Sequence, residues 1–172
     1  RTIATWGATY PVAYEYDAHG RMTAMATTRD DDTDFAALAA ELAEGASLAS
    51  LASPMSLDLT TWLYDAPTGL QTNKLYADGK GTAYTYTPDG KLATRTWARG
   101  VTTTYAHNDA GSLTNIVYSD ATPDVAFAYD RLGRMTSAVS SVATNHFTYD
   151  GLDLVSEMQN GVVLTRSTDA LG

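Results

Sequence analysis

Apolar and polar residues alternate in short runs along most of the chain, and a period of two predicts β-strands. In the stretch 127–136, Phe127 and Tyr129 would share one strand face, with small residues on the other. Asp130 and Gly133 then stand at the first and fourth positions of a turn, where Asp and Gly are favoured. A second alternating run follows, so this stretch predicts a β-hairpin.

The same line of residues recurs along the chain at intervals of roughly 21 residues, which indicates a repeat architecture. Each copy ends one strand on an aromatic residue, turns through Asp or a substitute to Gly, and starts a return strand. The predicted structural motif residues are Tyr16, Asp17 and Gly20; Tyr64, Asp65 and Gly69; Tyr86 and Gly90; Gly111, with His107 in the aromatic position; Tyr129, Asp130 and Gly133; and Tyr149 and Asp150.

Glycines at the fourth turn position are expected to have positive φ. The equivalent aromatics Tyr86, His107, Tyr129 and Tyr149 are expected to form a ladder across neighbouring strands. The opposite face of the sheet is mostly Thr and Ala. A one-sided sheet of this kind leads us to expect that the aromatic face is the one that is covered or stacked.

An insertion breaks the spacing between the first two copies, at about 27–58. Within it Phe35, Leu38 and Leu42 recur at helical spacing and predict one amphipathic helix that starts near Asp34. Asp32 or Thr33 is expected to cap its first turn, and Gly45 is placed to end it. Leu48 and Leu51 indicate a further short helical piece. The apolar stripe is expected to lie on the sheet or on a neighbouring part of the array, because so short a helix is not stable alone.

The run Tyr-x-Tyr-Asp-x-x-Gly-Arg-Met-Thr at 14–23 and its near-copy at 127–136 closely resemble the YD repeat of RHS (rearrangement hot spot) proteins. The resemblance covers essentially all of the chain outside 27–58. It implies a mainly β fold, in which antiparallel hairpins build a continuous twisted or spiralling sheet. The helix predicted from the residue pattern adds one inserted α-helix to this sheet. The resemblance also implies a large secreted or cell-surface parent protein. In bacterial toxin members, including insecticidal toxin complexes, such a sheet forms a shell around a toxic domain, and in animal teneurins it belongs to an adhesion receptor.

The whole of 1–172 is therefore interpreted as one segment of a repeat array. We expect the parent chain to be longer at both ends, because the sequence starts without Met and stops inside a turn motif. The first hypothesis is a structural segment of an RHS-type shell that encapsulates or presents a toxin or another polypeptide. The alternative is an extracellular binding or adhesion module that engages carbohydrate or protein through exposed aromatics, with Trp6, Trp62 and Trp97 as candidates.

Charge and composition limit the classes of partner that the chain is expected to bind. The formal net charge of −9 argues against nucleic acid and against anionic membrane surfaces, which both attract clustered Lys and Arg. The chain has no Cys, and its longest apolar stretch, 35–52, is interrupted by Glu41, Glu44 and Gly45, so no membrane insertion is expected. The expected partners are flanking repeats or a second copy, an encapsulated polypeptide, and carbohydrate.

Candidate chemistry is weak throughout. A Tyr–Asp pair could exchange protons, but adjacent strand residues point to opposite faces and the pair recurs, which favours turn building. The acidic run Asp30, Asp31, Asp32 and Asp34 lacks the Gly and Glu spacing of a calcium loop, so helix capping is favoured. The histidines His19, His107 and His146 are scattered over three repeats. We therefore assign no catalytic, cofactor or metal residues and expect no enzyme.

One feature of toxin-bearing members is absent from the motif copies. Those members resemble one another in a self-cleaving aspartyl module with Asp-Pro motifs. Here Asp65-Ala66-Pro67 only approaches that pattern and is interpreted as a variant turn.

Overall fold

The computed structural model describes residues 3–28 and 33–166 and divides into two compact units, Arg1–Tyr84 and Thr85–Gly172. Asp30 to Asp32 of the acidic run lie outside the described residues, as does the partial turn motif at 168–172.

The first unit is an antiparallel sheet with two helices inserted between its third and fourth strands. Each strand pairs with its neighbours in the chain, so the strand order follows the chain order. Its elements are β1 (Ala4–Thr5), β2 (Val12–Tyr16), β3 (Met22–Thr27), α1 (Phe35–Ala43), α2 (Leu48–Leu51), β4 (Asp58–Tyr64), β5 (Gln71–Leu75) and the start of β6 (Gly81–Tyr86).

The second unit continues the pattern of sequential antiparallel strands and contains no helix among its described residues. Its strands are β7 (Leu92–Thr96), β8 (Thr102–His107), β9 (Leu113–Tyr118), β10 (Val125–Tyr129), β11 (Met135–Ser140), β12 (Thr144–Asp150), β13 (Asp153–Gln159) and β14 (Val162–Thr165). The prediction of a mainly β fold built from antiparallel hairpins is confirmed.

The insertion folds as expected, with one change at the start of α1. Asp34, rather than Asp32 or Thr33, is the N-cap, because its Oδ1 accepts from the amides of Ala36 and Ala37, both at 3.0 Å. Gly45, with φ of 98°, follows the last turn of α1. The predicted short piece is the four-residue α2, capped by Ser47.

The hydrophobic core lies between this insertion and the sheet of the first unit. Phe35, Leu38 and Leu48 are buried, and Leu42 packs partly buried at the margin. The buried sheet residues in the same cluster are Ala13, Ala24 and Ala26. Alanine leaves room above the strands, so the apolar stripe can approach the backbone closely.

The covered face is not the one that the sequence led us to expect. Glu15 lies two residues from Ala13 on β2, and its Oε2 accepts the Leu48 amide at 2.8 Å, which places it on the helix side. Tyr14 and Tyr16 alternate with these residues and therefore point to the other face. The insertion covers the alanine face because only short side chains there leave space for a helix.

The motif turns share one hydrogen-bond pattern. In the turn at 130–134, the Gly133 amide donates to the Asp130 carbonyl at 3.0 Å, and the Asp130 amide donates to the Arg134 carbonyl at 2.9 Å. The closing glycine has φ of 78°. The predicted positive φ is confirmed there and at Gly20, Gly90 and Gly111.

Replacing Gly133 with Val should lower the free energy of unfolding by about 1 kcal/mol or more, because a β-branched residue resists positive φ. Space is not the reason, since a Cβ at this position would meet no atom within 4 Å. Gly133→Asn is the matched control and should lose less, because Asn tolerates the left-handed region. Urea unfolding of the three chains measures both effects; equal stability of the Val variant would contradict the turn assignment.

Candidate functional site: the clasp between successive repeats

The motif aspartate holds its own turn and aims an arginine. Asp130 Oδ1 accepts from the amides of Leu132 and Arg134 at 2.9 and 3.0 Å, and its Oδ2 accepts from Arg134 Nε at 2.7 Å. Asp17 repeats this arrangement, with its Oδ2 accepting from Arg21 Nε at 2.6 Å. Because the guanidinium is planar and held from one side, the rest of the group points away from the turn in a fixed direction.

The arginine reaches the next repeat. The guanidinium carbon of Arg134 lies 4.4 Å from the ring centroid of Tyr149, and the same group donates to the Gly151 carbonyl. Arg21 likewise lies 4.5 Å from the ring centroid of Tyr64, a cation–π distance. It donates to the carbonyl of the next turn glycine at 3.2 Å.

The motif tyrosine reaches back in the opposite direction. The Tyr149 hydroxyl donates to the Met135 carbonyl at 2.9 Å, where Met135 begins the preceding return strand. Two other copies make the same bond, each at 2.8 Å: Tyr64 to the Met22 carbonyl and Tyr129 to the Leu113 carbonyl. These hydroxyls therefore tie each motif strand to the repeat before it.

We call the set Asp130, Arg134, Tyr149 and Gly151, and its counterpart Asp17, Arg21, Tyr64 and Gly69, the clasp. Sequence reasoning identified the Tyr, Asp and Gly positions except Gly151 but missed the arginines. A signal was present, since Arg follows the turn glycine in the two best copies and Lys91 does so in a third.

Lys91 forms a reduced version of the clasp. Thr87 replaces the aspartate, and its Oγ1 accepts the Lys91 amide at 3.0 Å, while Asp89 pairs with the ammonium. The Lys91 side chain lies against the next turn, because a Cβ built on Gly111 would be 2.6 Å from Lys91 Cε. A basic side chain thus contacts the glycine of the following turn in three copies.

A β-bulge lies beside the motif aromatic in the described hairpins of Tyr16, Tyr64, His107, Tyr129 and Tyr149. The register shifts by one residue there, so that Tyr129 faces Met135 and the next residue, Thr136, is left over. Such a bulge increases the local twist of a hairpin. The extra residues are Thr23, Thr72, Thr114, Thr136 and Val155. The threonine after the first residue of the return strand is visible in the sequence. The predicted alternation of the strands, however, included no extra residue.

The expected aromatic ladder across neighbouring strands is wrong. Tyr86, His107, Tyr129 and Tyr149 lie on β6, β8, β10 and β12, with a return strand between each successive pair. Two strand spacings place them about 9–10 Å apart, too far for direct stacking. The arginine and the tyrosine hydroxyl bridge this gap instead.

The carboxylates of the turns are held in their charged form. The side-chain hydrogen bond from Arg134 is the main reason why the pKa of Asp130 is lowered from 3.8. Burial raises the pKa of Asp17, but its hydrogen bonds to Arg21 outweigh this and leave the pKa lowered. Lys91 and Thr87 lower the pKa of Asp89 to about 2.

The residues considered for acid–base or metal chemistry either have structural partners or lie apart from one another. Asp17, Tyr64, Asp130 and Tyr149 belong to the clasp. The Tyr129 hydroxyl donates to the Leu113 carbonyl, and Asp65 accepts from Thr68 within its own turn. No cluster of three or more His, Cys, Asp or Glu suited to a metal occurs within 3–28 and 33–166. Within the same residues, no helix combines the length and apolarity that a membrane span requires.

The tryptophans divide into one exposed and two packed side chains. Trp6 is 47% exposed. Trp97 is half-buried; its Nε1 donates to Thr103 Oγ1 at 3.0 Å, and the Arg95 guanidinium carbon lies 3.5 Å from a ring centroid. Trp62 is also half-buried, with Lys74 Nζ at 5.4 Å from its ring. Of the three tryptophans, Trp6 is therefore the one most accessible to a binding partner.

Solved structures that resemble this chain include two toxin-complex structures. One is the crystal structure of TcdB2–TccC3–Cdc42, matched with 16% identity and a TM-score of 0.41. The other is the Photorhabdus luminescens Tc holotoxin pore with a substitution in TccC3, matched with 15% identity and a TM-score of 0.44. Each match covers 90% of this chain and 9% of the other. No protein-family model and no curated protein matches the chain.

Replacing Arg134 with Ala should lower the free energy of unfolding by about 1 kcal/mol for the lost contact with the Tyr149 ring alone. Arg131→Ala is the matched control, since Arg131 is exposed in the same turn. Thermal unfolding followed by circular dichroism compares the two. Equal midpoints would show that the arginine contributes nothing across the joint.

Replacing His107 with Tyr should stabilise the chain by about 0.5–1.5 kcal/mol, the net value of one hydrogen bond. His107 Nδ1 is buried without a hydrogen-bond partner. A tyrosine at 107 would be placed to donate to the Leu92 carbonyl, as the other motif tyrosines donate to preceding return strands. Chemical denaturation measures the gain; His107→Phe supplies the ring without the hydroxyl and should gain less.

Acid should weaken the clasp through Asp130. Because its folded pKa is lowered, the group contributes stability that is present above the ordinary value of 3.8 and is lost as pH falls through the lowered pKa. Asp130→Asn keeps acceptors for the turn but removes the charge. Its stability should therefore fall less steeply than that of the unchanged chain between about pH 5 and pH 2. Parallel slopes in pH-dependent denaturation would contradict this.

Proposed function

We propose that this chain is a wall segment of an RHS-type β-shell that encapsulates or presents a toxin or another polypeptide, and that its role is structural rather than enzymatic. The clasp carries the proposal. It runs in one direction, from the turn of one repeat to the tyrosine and turn of the next, so the same contact can extend the sheet hairpin by hairpin. Repeat proteins gain their stability from such nearest-neighbour interfaces.

The last described strand supports continuation of the wall. β14 pairs with β13, and Val162, Val163 and Leu164 are all exposed. Side chains on both faces of this strand are therefore apolar and uncovered. An exposed apolar edge strand pairs readily with another strand. The proposed partners are flanking repeats of the same chain or a second copy, and the proposed location, from the YD-repeat resemblance, is secreted or at the cell surface.

An extracellular binding or adhesion module is the second candidate. The exposed Trp6 and Tyr10 favour it, because exposed aromatic side chains can hold carbohydrate or a protein surface. Binding to a glycan array that is lost in Trp6→Ala, without any association between chains, would favour this function over the shell.

Analytical ultracentrifugation of the chain tests the open edge. We expect association that increases with protein concentration, since one edge of β14 pairs with no other strand of the described residues. Val163→Lys, which puts a charge on the edge strand, should weaken this association. Val142→Lys is the matched control, because Val142 is exposed in a turn. A monomer at every concentration would contradict the proposed wall segment.

A further inference from the structure

The second unit exposes a sheet face that has no charged residue at its centre. This face alternates with the aromatic face along β8, β9 and β10. We call it the small-residue face, and at its centre lie Thr104, Ala106, Asn115, Val117, Ala126 and Ala128. All six side chains are exposed and uncharged in a chain whose formal net charge is −9.

The equivalent positions of the β2–β3 hairpin in the first unit are covered. Ala13 precedes Tyr16 by three residues, as Ala126 precedes Tyr129, so the two alanines occupy the same place in the repeat. Ala13 is fully buried beneath the insertion, in one cluster with Phe35 and Leu38. The chain itself therefore shows what fits this face of a YD-type hairpin: an apolar helical stripe resting on short side chains.

The aromatic face is less suited to a second chain. Its tyrosines are half-buried, and the hydroxyls of Tyr129 and Tyr149 are already bonded to Leu113 and Met135. The small-residue face is better suited to a second chain. Its side chains are short, and an apolar partner would bury no charged group there.

We propose that the small-residue face of the second unit is a docking surface for an apolar helical segment of another polypeptide, held as α1 and α2 are held in the first unit. This rests on the proposed function and deepens it, because it names the face that the enclosed polypeptide contacts.

One difference sets the expected strength of binding. In the first unit Glu15 accepts the Leu48 amide at the start of α2. The equivalent residue in the second unit is Ala128, which has no acceptor on its side chain. The docked segment would therefore be held by apolar contact alone, and the surface should tolerate many sequences that share a helical stripe.

The test uses a fluorescein-labelled peptide of residues 33–53, which carries the apolar stripe, added to the full chain and followed by fluorescence anisotropy. We expect binding, and we expect Ala106→Lys with Ala128→Lys to weaken it by about tenfold or more, because two charges would be buried under the peptide. Ala110→Lys is the matched control, an exposed alanine in a turn, and should bind as the unchanged chain does.

Photo-crosslinking separates this face from others even if the double variant folds poorly. Benzoylphenylalanine replaces either Val117 on the small-residue face or its neighbour Ile116 on the opposite face. Crosslinks from position 117 but not from 116 would support the proposal. Failure of the peptide to bind, equal binding by the double variant, or crosslinks from 116 alone would overturn it. Self-association through β14 would stand unaffected by these results.

Discussion

The ion pair between Asp130 and Arg134 forms within a single turn, yet its main consequence lies in the next repeat. The carboxylate engages the backbone of its own turn with one oxygen and the arginine with the other. The side chains of the pair are about a quarter exposed, so the pair is partly shielded from solvent. The value of the pair is geometric, because it fixes the direction in which the guanidinium meets the Tyr149 ring.

The other contacts between the two successive repeats depend on the direction of the Arg134 guanidinium. The Arg134 guanidinium lies over the ring of Tyr149, and the Tyr149 hydroxyl donates to the Met135 carbonyl of the preceding return strand. The bulge places Tyr129 opposite Met135, the first residue of its own return strand. The arginine and hydroxyl contacts connect one hairpin to the next. A sheet joined in this way can extend without a central core; among residues 3–28 and 33–166, the cluster of buried apolar residues lies under the insertion.

Local features of this chain could be predicted from the sequence, while contacts between repeats could not. The turn at Asp130 and Gly133 and the helix cap near Asp34 depend on residues within four positions of each other. Arg134 and Gly151 lie 17 residues apart, and Arg21 and Gly69 lie 48 apart. No local pattern reports such a contact. The bulge was not predicted from the sequence for a related reason. A return strand with one extra residue differs from a strictly alternating one only at that residue, Thr136.

A double-mutant cycle between Arg134 and Tyr149 tests the central claim that the clasp joins successive repeats. Arg134→Ala, Tyr149→Leu and the double variant would be unfolded in urea beside the unchanged chain. The account predicts a coupling energy of about 0.5 kcal/mol or more between the two sites. The same cycle with Arg131→Ala in place of Arg134→Ala should show no coupling. Additive losses for Arg134 and Tyr149 would contradict the clasp as the joint between repeats.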